Sequence, residues 1–319
     1  MTPLSDHHIL ILGWPTAQRE WITNYPNVTA SRIYREKISA LDKRRKNLSF
    51  HTPRSLWSIE SLSPRYWYED WKNAIESYDT VILIDEIRGR DVFEYILEKN
   101  PTCRLCVFFD SPITPGSKKD PSNYKDLPVH FFTCDRKIAS KYHITFAPYF
   151  YIFSPYPFEY YEHRSEDNIL QDVFFVGEEK GDRAERITEI KQALDTAGLT
   201  YEIHLIPQKR HGRSGAKASY LPYDEVIERI KSSRAILELI SDGQTGITQR
   251  PYEALFFKKK LITTSREIMN YDFYHPENVF ILGERPVEEL PAFLQSPTAP
   301  VAPEIIEQYT ITHWLKQFL

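Results

Sequence analysis

Short apolar runs that end in a glycine or an acid recur along this chain and constrain its fold more than any other feature. Continuous apolar runs of this length are typical of strands that are buried on both faces of a parallel sheet. Between them lie segments with apolar residues at helical spacing, such as 91–97 and 183–197. The alternation of strand and helix predicts an α/β fold with parallel sheets. The clearest of the apolar runs are residues 8–13, 81–86, 105–109, 172–177 and 235–240.

The strand and helix pattern stops and then restarts near residue 165. The chain has 319 residues, which is longer than one hydrophobic core usually serves. A stretch with three prolines and many aromatic residues, 148–164, separates the two halves. We therefore predict two Rossmann-like domains, over residues 1–165 and 166–302. An amphipathic C-terminal helix over residues 303–319 is expected to pack back on the N-terminal domain.

Composition excludes several classes of protein. The formal net charge is −4, so there is no general attraction for nucleic acid, and no nucleic-acid partner is expected. No window approaches the roughly 18 consecutive apolar residues that a membrane span needs, and the sequence is therefore interpreted as that of a cytoplasmic protein. Cys103 and Cys106 form a C-x-x-C pair within an apolar run. Residues three apart on a strand point to opposite faces, so we expect buried structural thiols rather than a metal or redox site.

The loop over residues 176–183 is the first candidate for ligand binding. In open parallel sheets, ligands lie beyond the carboxyl ends of the strands, where helix N-termini offer amides to phosphate. Gly177 would let the backbone approach a ligand, and Lys180 and Arg183 would oppose a diphosphate. A plain turn between strand and helix is an equally good interpretation of this loop alone.

The loop over residues 242–250, which residues 251–255 follow, has a more specific content. Thr245 and Gly246 precede a helix whose first turn offers Thr248 and Arg250. A hydroxyl, free amides and a guanidinium suit a diphosphate, and Glu253 is placed to accept both hydroxyls of a ribose. The alternative is a capped helix with a surface arginine and a glutamate favoured by the helix dipole.

Three stretches, residues 242–274, 174–183 and 133–151, resemble those of a known family. The family is that of bacterial glycosyltransferases of lipopolysaccharide and capsule assembly, which have the GT-B fold. The first runs from Asp242 through 246–264 to Tyr274 and is similar to their C-terminal signature. The second, 174–183, is similar to the strand and loop that open their nucleotide domain, and the third, 133–151, to the segment that closes their acceptor domain. The resemblance covers roughly residues 105–282. It implies two Rossmann-like domains that face each other across a cleft.

The resemblance also implies an activity, which is transfer of a hexose-type sugar from a nucleotide diphosphate to a growing saccharide. Glu253 would contact the ribose, and Arg183, Thr248 and Arg250 the diphosphate. The sugar nucleotide is a substrate, so no cofactor is expected. No two aspartates stand two apart, so the Asp-x-Asp motif of metal-using transferases is missing. We expect a metal-independent enzyme in which arginine, lysine and helix N-termini balance the charge of the leaving group.

A transferase that inverts configuration needs a base near the acceptor hydroxyl. The acids at the strand ends of the first domain, Asp85, Glu86 and Asp110, are candidates by position, and Glu86 and Asp110 rank first. For each, the alternative is an acid that caps the next helix or pairs with Arg88 or Arg90. An enzyme that retains configuration needs no such base.

Two further expectations concern partners and alternative functions. The basic segment 35–54, predicted to be a loop, suits an anionic acceptor or a lipid headgroup surface. The expected partners are thus a nucleotide-sugar donor, a saccharide or lipid-linked saccharide acceptor, and the inner face of the cytoplasmic membrane through peripheral contact. A solvated loop, or RNA, is the alternative for this segment. For the whole chain, the alternative is a non-catalytic module that binds nucleotide sugars or saccharides; an epimerase is disfavoured because no G-x-G-x-x-G follows the first strand.

Overall fold

A computed structural model of the chain describes residues 4–13, 25–151, 168–207, 221–240 and 246–319. The chain divides into two compact units, Met1–Tyr149 with Ile311–Leu319, and Phe150–Thr310. The predicted junction at residue 165 lies outside the described residues. Along the described residues, no helix is both long and apolar enough to cross a membrane.

The first unit contains a six-stranded parallel sheet with helices between its strands. The sheet order is β2-β1-β3-β4-β5-β6. Five short 3-10 helices lie between residues 54 and 77. The elements are β1 (Ile9–Leu12), β2 (Val28–Ser31), α1 (Ala40–Ser49), β3 (Thr80–Ile84), α2 (Asp91–Lys99), β4 (Arg104–Phe109), β5 (Val129–Thr133), α3 (Arg136–Tyr142) and β6 (Thr145–Phe146).

The second unit contains a five-stranded parallel sheet in the order β11-β10-β9-β7-β8. In each sheet, the first strand of the unit lies between the second and the third. The order is β2-β1-β3 in the first sheet and β8-β7-β9 in the second. Strand order therefore reverses between β1 and β3, and again between β7 and β9. Such switch points are where open α/β sheets leave room for ligands. The elements are β7 (Gln171–Glu178), α4 (Arg183–Thr196), β8 (Tyr201–Ile206), α5 (Tyr223–Lys231), β9 (Ser233–Glu238), α6 (Gln249–Phe256), β10 (Lys260–Thr263), β11 (Val279–Ile281), α7 (Leu290–Gln295) and α8 (Pro303–Glu307).

The central strands are buried along their whole length. Every residue of β1, β3 and β10 is buried. In β4, five of the six residues are buried, and each residue from Leu105 onward is 0% exposed. Helices cover both faces of such sheets, so only strands that are apolar throughout fit there. The prediction of a mixed α/β chain with two parallel sheets is confirmed.

The C-terminal segment consists of two short helices rather than the single helix predicted over residues 303–319. Helix α8 belongs to the second unit, where the hydroxyl of Tyr309 donates to Asp272 Oδ1 at 2.5 Å. Helix α9 (Ile311–Lys316) belongs to the first unit. There the ring centroid of Trp314 lies 5.1 Å from that of Phe108, and the buried Phe318 ring lies 4.8 Å from Phe132.

Both cysteines of the C-x-x-C pair are buried, as predicted. Burial raises the pKa of the Cys103 thiol to about 11 and that of Cys106 to about 12. Thiols with raised pKa values are poor nucleophiles and poor metal ligands at neutral pH.

Candidate functional site

The carboxyl edge of the second sheet gathers most of the residues that were predicted to bind a nucleotide sugar. Strands β7, β9 and β10 end there at Glu178, Glu238 and Thr263, and all three run parallel. The loops that leave β7 and β9 lead to the N-termini of α4 and α6. Side chains from separate parts of the sequence thus meet at one edge.

Glu238 links three elements at this edge. Its carboxyl is 1% exposed and accepts from the Thr248 amide at 3.1 Å, the Thr248 hydroxyl at 2.6 Å and the Thr263 hydroxyl at 2.6 Å. Burial raises the pKa of Glu238, although these hydrogen bonds oppose the shift. Thr248 in turn accepts from the Arg250 amide at 3.2 Å and so caps α6. The start of α6 is therefore fastened to the ends of β9 and β10.

Arg183 spans the point where the strand order of the second sheet reverses. One terminal nitrogen donates to the carbonyl of Glu178, at the end of β7, at 2.6 Å. The other donates to the carbonyl of Leu239, just after β9, at 2.8 Å. Arg186, one turn further along α4, donates to the carbonyl of Ile240 at 3.2 Å. Two guanidinium groups are thus fixed by main-chain carbonyls at the switch point.

Gly177 and Lys180 occupy the loop between β7 and α4. A Cβ on Gly177 would lie 2.9 Å from the Phe175 ring, which would have to shift, and 3.5 Å from Arg183 Nη1, which is an ordinary contact distance. Lys180 pairs with Glu178 at 2.9 Å, and its side chain is 51% exposed. The glycine therefore allows the Phe175 ring to pack closely against the loop, and the lysine stands exposed beside it.

Arg250 and Glu253 form an ion pair on α6. The Glu253 side chain is 1% exposed, and that of Arg250 is 21% exposed. The second oxygen of Glu253 accepts from the Tyr223 hydroxyl at 2.8 Å, and Tyr223 lies 3.2 Å from the hydroxyl of Tyr151. A further nitrogen of Arg250 donates to the carbonyl of Val176 on β7 at 3.4 Å. In this conformation Glu253 positions Arg250, and its contact with a ribose stays a prediction that requires Tyr223 to give up its hydrogen bond.

The first turn of α6 offers fewer amides to a phosphate than the sequence suggested. Proline at position 251 has no amide hydrogen, and the Arg250 amide donates to Thr248. Among the first-turn amides of α6, that of Gln249 is left for a ligand. Gly246 is partly exposed ahead of this turn, and Thr245 lies outside the described residues.

The carboxyl edge of the first sheet holds the acids that were predicted as candidate bases. Asp85 follows β3 with a φ of 55°, and its Oδ2 accepts from Lys119 Nζ at 2.9 Å and from the Ser111 hydroxyl. Asp110 follows β4 directly. Loss of hydration around its carboxyl, together with the charge of Asp85, raises the pKa of Asp110 to about 7, although the residue as a whole is exposed. Two carboxyl groups therefore share one edge, close to a lysine.

Glu86 lies at the other switch point, between β1 and β3. It pairs with Arg88 at 3.2 Å, which was the alternative considered for it, and its side chain is 33% exposed. Gly13 follows β1 beside it with a φ of 93°. A Cβ on Gly13 would lie 2.6 Å from the carbonyl oxygen of Ile84, so only glycine allows the two strand ends to approach this closely.

The basic segment 35–54 is not a loop. Half of it is the helix α1, which begins after Ser39, whose hydroxyl accepts from the Asp42 amide at 3.1 Å. Lys46 is 8% exposed and donates to the carbonyl of Arg35 at 2.7 Å, and Arg54 pairs with Glu94. These basic groups therefore take part in the structure of the first unit.

Sequence reasoning missed several residues of the two edges, namely Glu238, Tyr223, Arg186 and Lys119. Glu238 gave a signal, because it is the one charge inside the apolar run 235–240. The others gave none, since their partners are distant in sequence.

No protein-family model matches the sequence, and no curated protein matches it. Among solved structures, the spinosyn forosaminyltransferase SpnP has 12% sequence identity and a TM-score of 0.45, over 98% of this chain and 97% of that one. The glycotransferase of kitacinnamycin has 9% identity and a TM-score of 0.41, over 100% and 96%. Similarity at this level carries no conclusion about activity.

Proposed function

We propose that this chain is a glycosyltransferase of the GT-B type, which moves a sugar from a nucleotide diphosphate to a saccharide acceptor without a metal ion. The observation that carries the proposal is the placement of Arg183 across the β7/β9 switch point. A guanidinium fixed by two main-chain carbonyls at the usual ligand position of an open α/β sheet is suited to a diphosphate.

The donor diphosphate would bind mainly to arginine side chains. Arg183, Arg186 and Arg250 all contact main-chain carbonyls at the ends of β7 and β9. Fixed cations of this kind stabilise the charge that develops on a departing nucleoside diphosphate, and they need no reorganisation during the reaction. The arginines thus do the work that a divalent ion does in other transferases.

The donor ribose would bind next to Glu253. The Tyr223 hydroxyl donates to Glu253 Oε1 at 2.8 Å, which is the kind of contact that a ribose hydroxyl would make. A ribose would therefore replace Tyr223 as the donor to this carboxylate, and Arg250 would keep its own contact with the other oxygen.

The acceptor hydroxyl would be activated by Asp110. A pKa near 7 balances the fraction of ionised base against its proton affinity at neutral pH. Asp85 Oδ1 is buried and has no hydrogen-bond donor. A proton that Asp110 takes up from the acceptor would give Asp85 Oδ1 such a donor. Lys119 limits the repulsion between the two acids. For the acceptor, we propose a saccharide of the bacterial surface, on the resemblance to lipopolysaccharide and capsule enzymes.

The test is a panel of nucleotide sugars, incubated with the protein in EDTA, with and without saccharide acceptors, while nucleotide release is followed. We expect release with one donor, and a large fall in kcat for Asp110→Asn. The matched control is Glu76→Gln, which removes an exposed acid ahead of β3. Nucleotide binding without release from any donor would instead favour a non-catalytic binding module. Release that stops in EDTA would contradict the metal-free mechanism.

A further inference from the structure

Helix α1 has its polar and apolar sides reversed. Its apolar residues Leu41 and Leu48 are each 57% exposed. The side that faces the protein carries Lys46 and Ser49 instead, which are 8% and 1% exposed. Helices on the surface of a globular protein normally do the opposite. The reversal leaves both leucines of α1 exposed.

The inward side of α1 is stabilised by polar contacts. Lys46 Nζ donates to the carbonyl of Arg35 at 2.7 Å, and the Ser49 hydroxyl donates to the carbonyl of Lys46 at 2.7 Å. The Phe50 ring, just after the helix, lies 4.9 Å from that of Tyr34. The orientation of α1 is thus fixed, and the leucines cannot turn inward without breaking these contacts.

The outward side combines leucine with arginine. Leu41, Arg44, Arg45 and Leu48 stand at positions i, i+3, i+4 and i+7, so they share one face, which we call the Leu–Arg face. All four are exposed, with the Arg45 side chain at 53%. Between residues 37 and 54 there are six basic residues and one acid, in a chain with a net charge of −4. Positive charge and exposed apolar surface thus coincide here.

Exposed apolar side chains are concentrated around this helix. Helix α1 packs against the 3-10 turn Glu60–Leu62, which follows the exposed Ile59. Outside this part of the described chain, the exposed large apolar residues are Leu170 and Met269. Those in residues 41–66 are Leu41, Leu48, Leu56, Ile59 and Tyr66.

We propose that the Leu–Arg face docks on an anionic lipid bilayer. Leucines would enter the boundary between headgroups and acyl chains, and the neighbouring guanidinium groups would bind lipid phosphates. A helix of 10 residues is about 15 Å long. Its exposed face is small against the roughly 1,000 Å² that a specific protein interface buries. A bilayer sets no such minimum, because each basic residue near an anionic surface adds to binding separately.

The test is flotation of the full-length protein with vesicles of phosphatidylcholine, with and without phosphatidylglycerol. We expect binding to the anionic vesicles only, and a decrease at high salt. Arg44→Gln/Arg45→Gln should weaken binding about 30-fold, since each charge contributes about fivefold near an anionic surface. Leu41→Gln/Leu48→Gln should weaken it at least about tenfold.

The controls alter matched residues elsewhere on the surface. Lys99→Gln/Lys316→Gln removes two exposed charges, and Leu170→Gln/Met269→Gln removes two exposed apolar side chains. Both should leave vesicle binding unchanged. The proposal is overturned if the wild-type protein does not bind anionic vesicles, if the control variants lose as much binding as the Leu–Arg variants, or if Leu41→Gln/Leu48→Gln instead disperses a dimer of this chain. Vesicle binding needs no sugar donor, so the result is independent of the proposed transferase activity.

Discussion

Replacement of Arg250 by methionine is expected to destabilise the second unit strongly, although the residue lies at a proposed ligand site. The reason is its partner, because the Glu253 carboxylate is 1% exposed and would lose its cation. Removal of one member of a buried ion pair costs about 3–5 kcal/mol, mainly because a buried charge is left uncompensated. The Tyr223 hydrogen bond would remain, but a neutral donor offsets only part of that cost.

The double variant Arg250→Met/Glu253→Gln should be far more stable than the single variant. It removes both charges, and the glutamine oxygen can still accept from Tyr223. Replacement of a whole buried pair by neutral groups is often close to neutral, so we expect a cost of about 1 kcal/mol. The difference between the two variants, about 2–4 kcal/mol, is the cost of leaving the Glu253 charge buried without its cation.

Thermal unfolding followed by circular dichroism measures this difference. For a unit of this size, each kcal/mol lowers Tm by about 2–4 °C, so the single variant should lose about 6–20 °C and the double variant about 2–4 °C. A single variant as stable as the double would refute the reasoning, since it would mean that Glu253 is not buried with Arg250 as its counter-ion.

Three other predictions follow from the two strand edges. Glu238→Ala should cost about 3–5 kcal/mol because it leaves three hydrogen-bond donors without their acceptor, whereas Glu238→Gln should cost about 1 kcal/mol, as measured by denaturant unfolding. Asp85→Asn removes a like charge and should move the acid limb of the kcat/KM profile, set by Asp110 at about pH 7, to lower pH. Because the pKa of Asp110 is raised in the folded protein, the wild-type protein should lose stability as pH rises toward 7, and Asp85→Asn should lose less. Equal pH profiles of stability would mean that Asp85 does not raise the pKa of Asp110. Gly13→Ala should lower Tm more than Gly116→Ala, because both glycines have positive φ but only Gly13 has a carbonyl oxygen 2.6 Å from the added Cβ.

The sequence predicts the sheets because their strands are buried on both faces. Runs such as 9–12 and 105–109 are apolar throughout, and the structure places them at the centre of a sheet. Strand β2 was missed, since Val28–Ser31 is short and polar, with one buried residue. Helix α1 was taken for a loop because its apolar residues do not face the core, so the hydrophobic periodicity that marks a packed helix is lacking.

The candidate site was predictable only in part. Gly177, Arg183, Thr248 and Arg250 stand next to recognisable turns, and the structure brings them to one edge of the second sheet. The burial of Glu253 was not predictable, because it depends on Tyr223, which lies 30 residues away. Position in a motif indicates which edge a residue reaches, whereas the partner that restrains it is decided by packing.

The central claim is that the second unit holds a diphosphate through its arginines. Calorimetric titration of uridine, guanosine and cytidine diphosphates into the protein in EDTA tests it most directly. We predict that one of them binds more tightly than its monophosphate, and that Arg183→Lys, which keeps the charge but loses the fork of donors, weakens it about tenfold or more. Binding of none of the three, or binding that appears only when a divalent ion is added, would contradict the account.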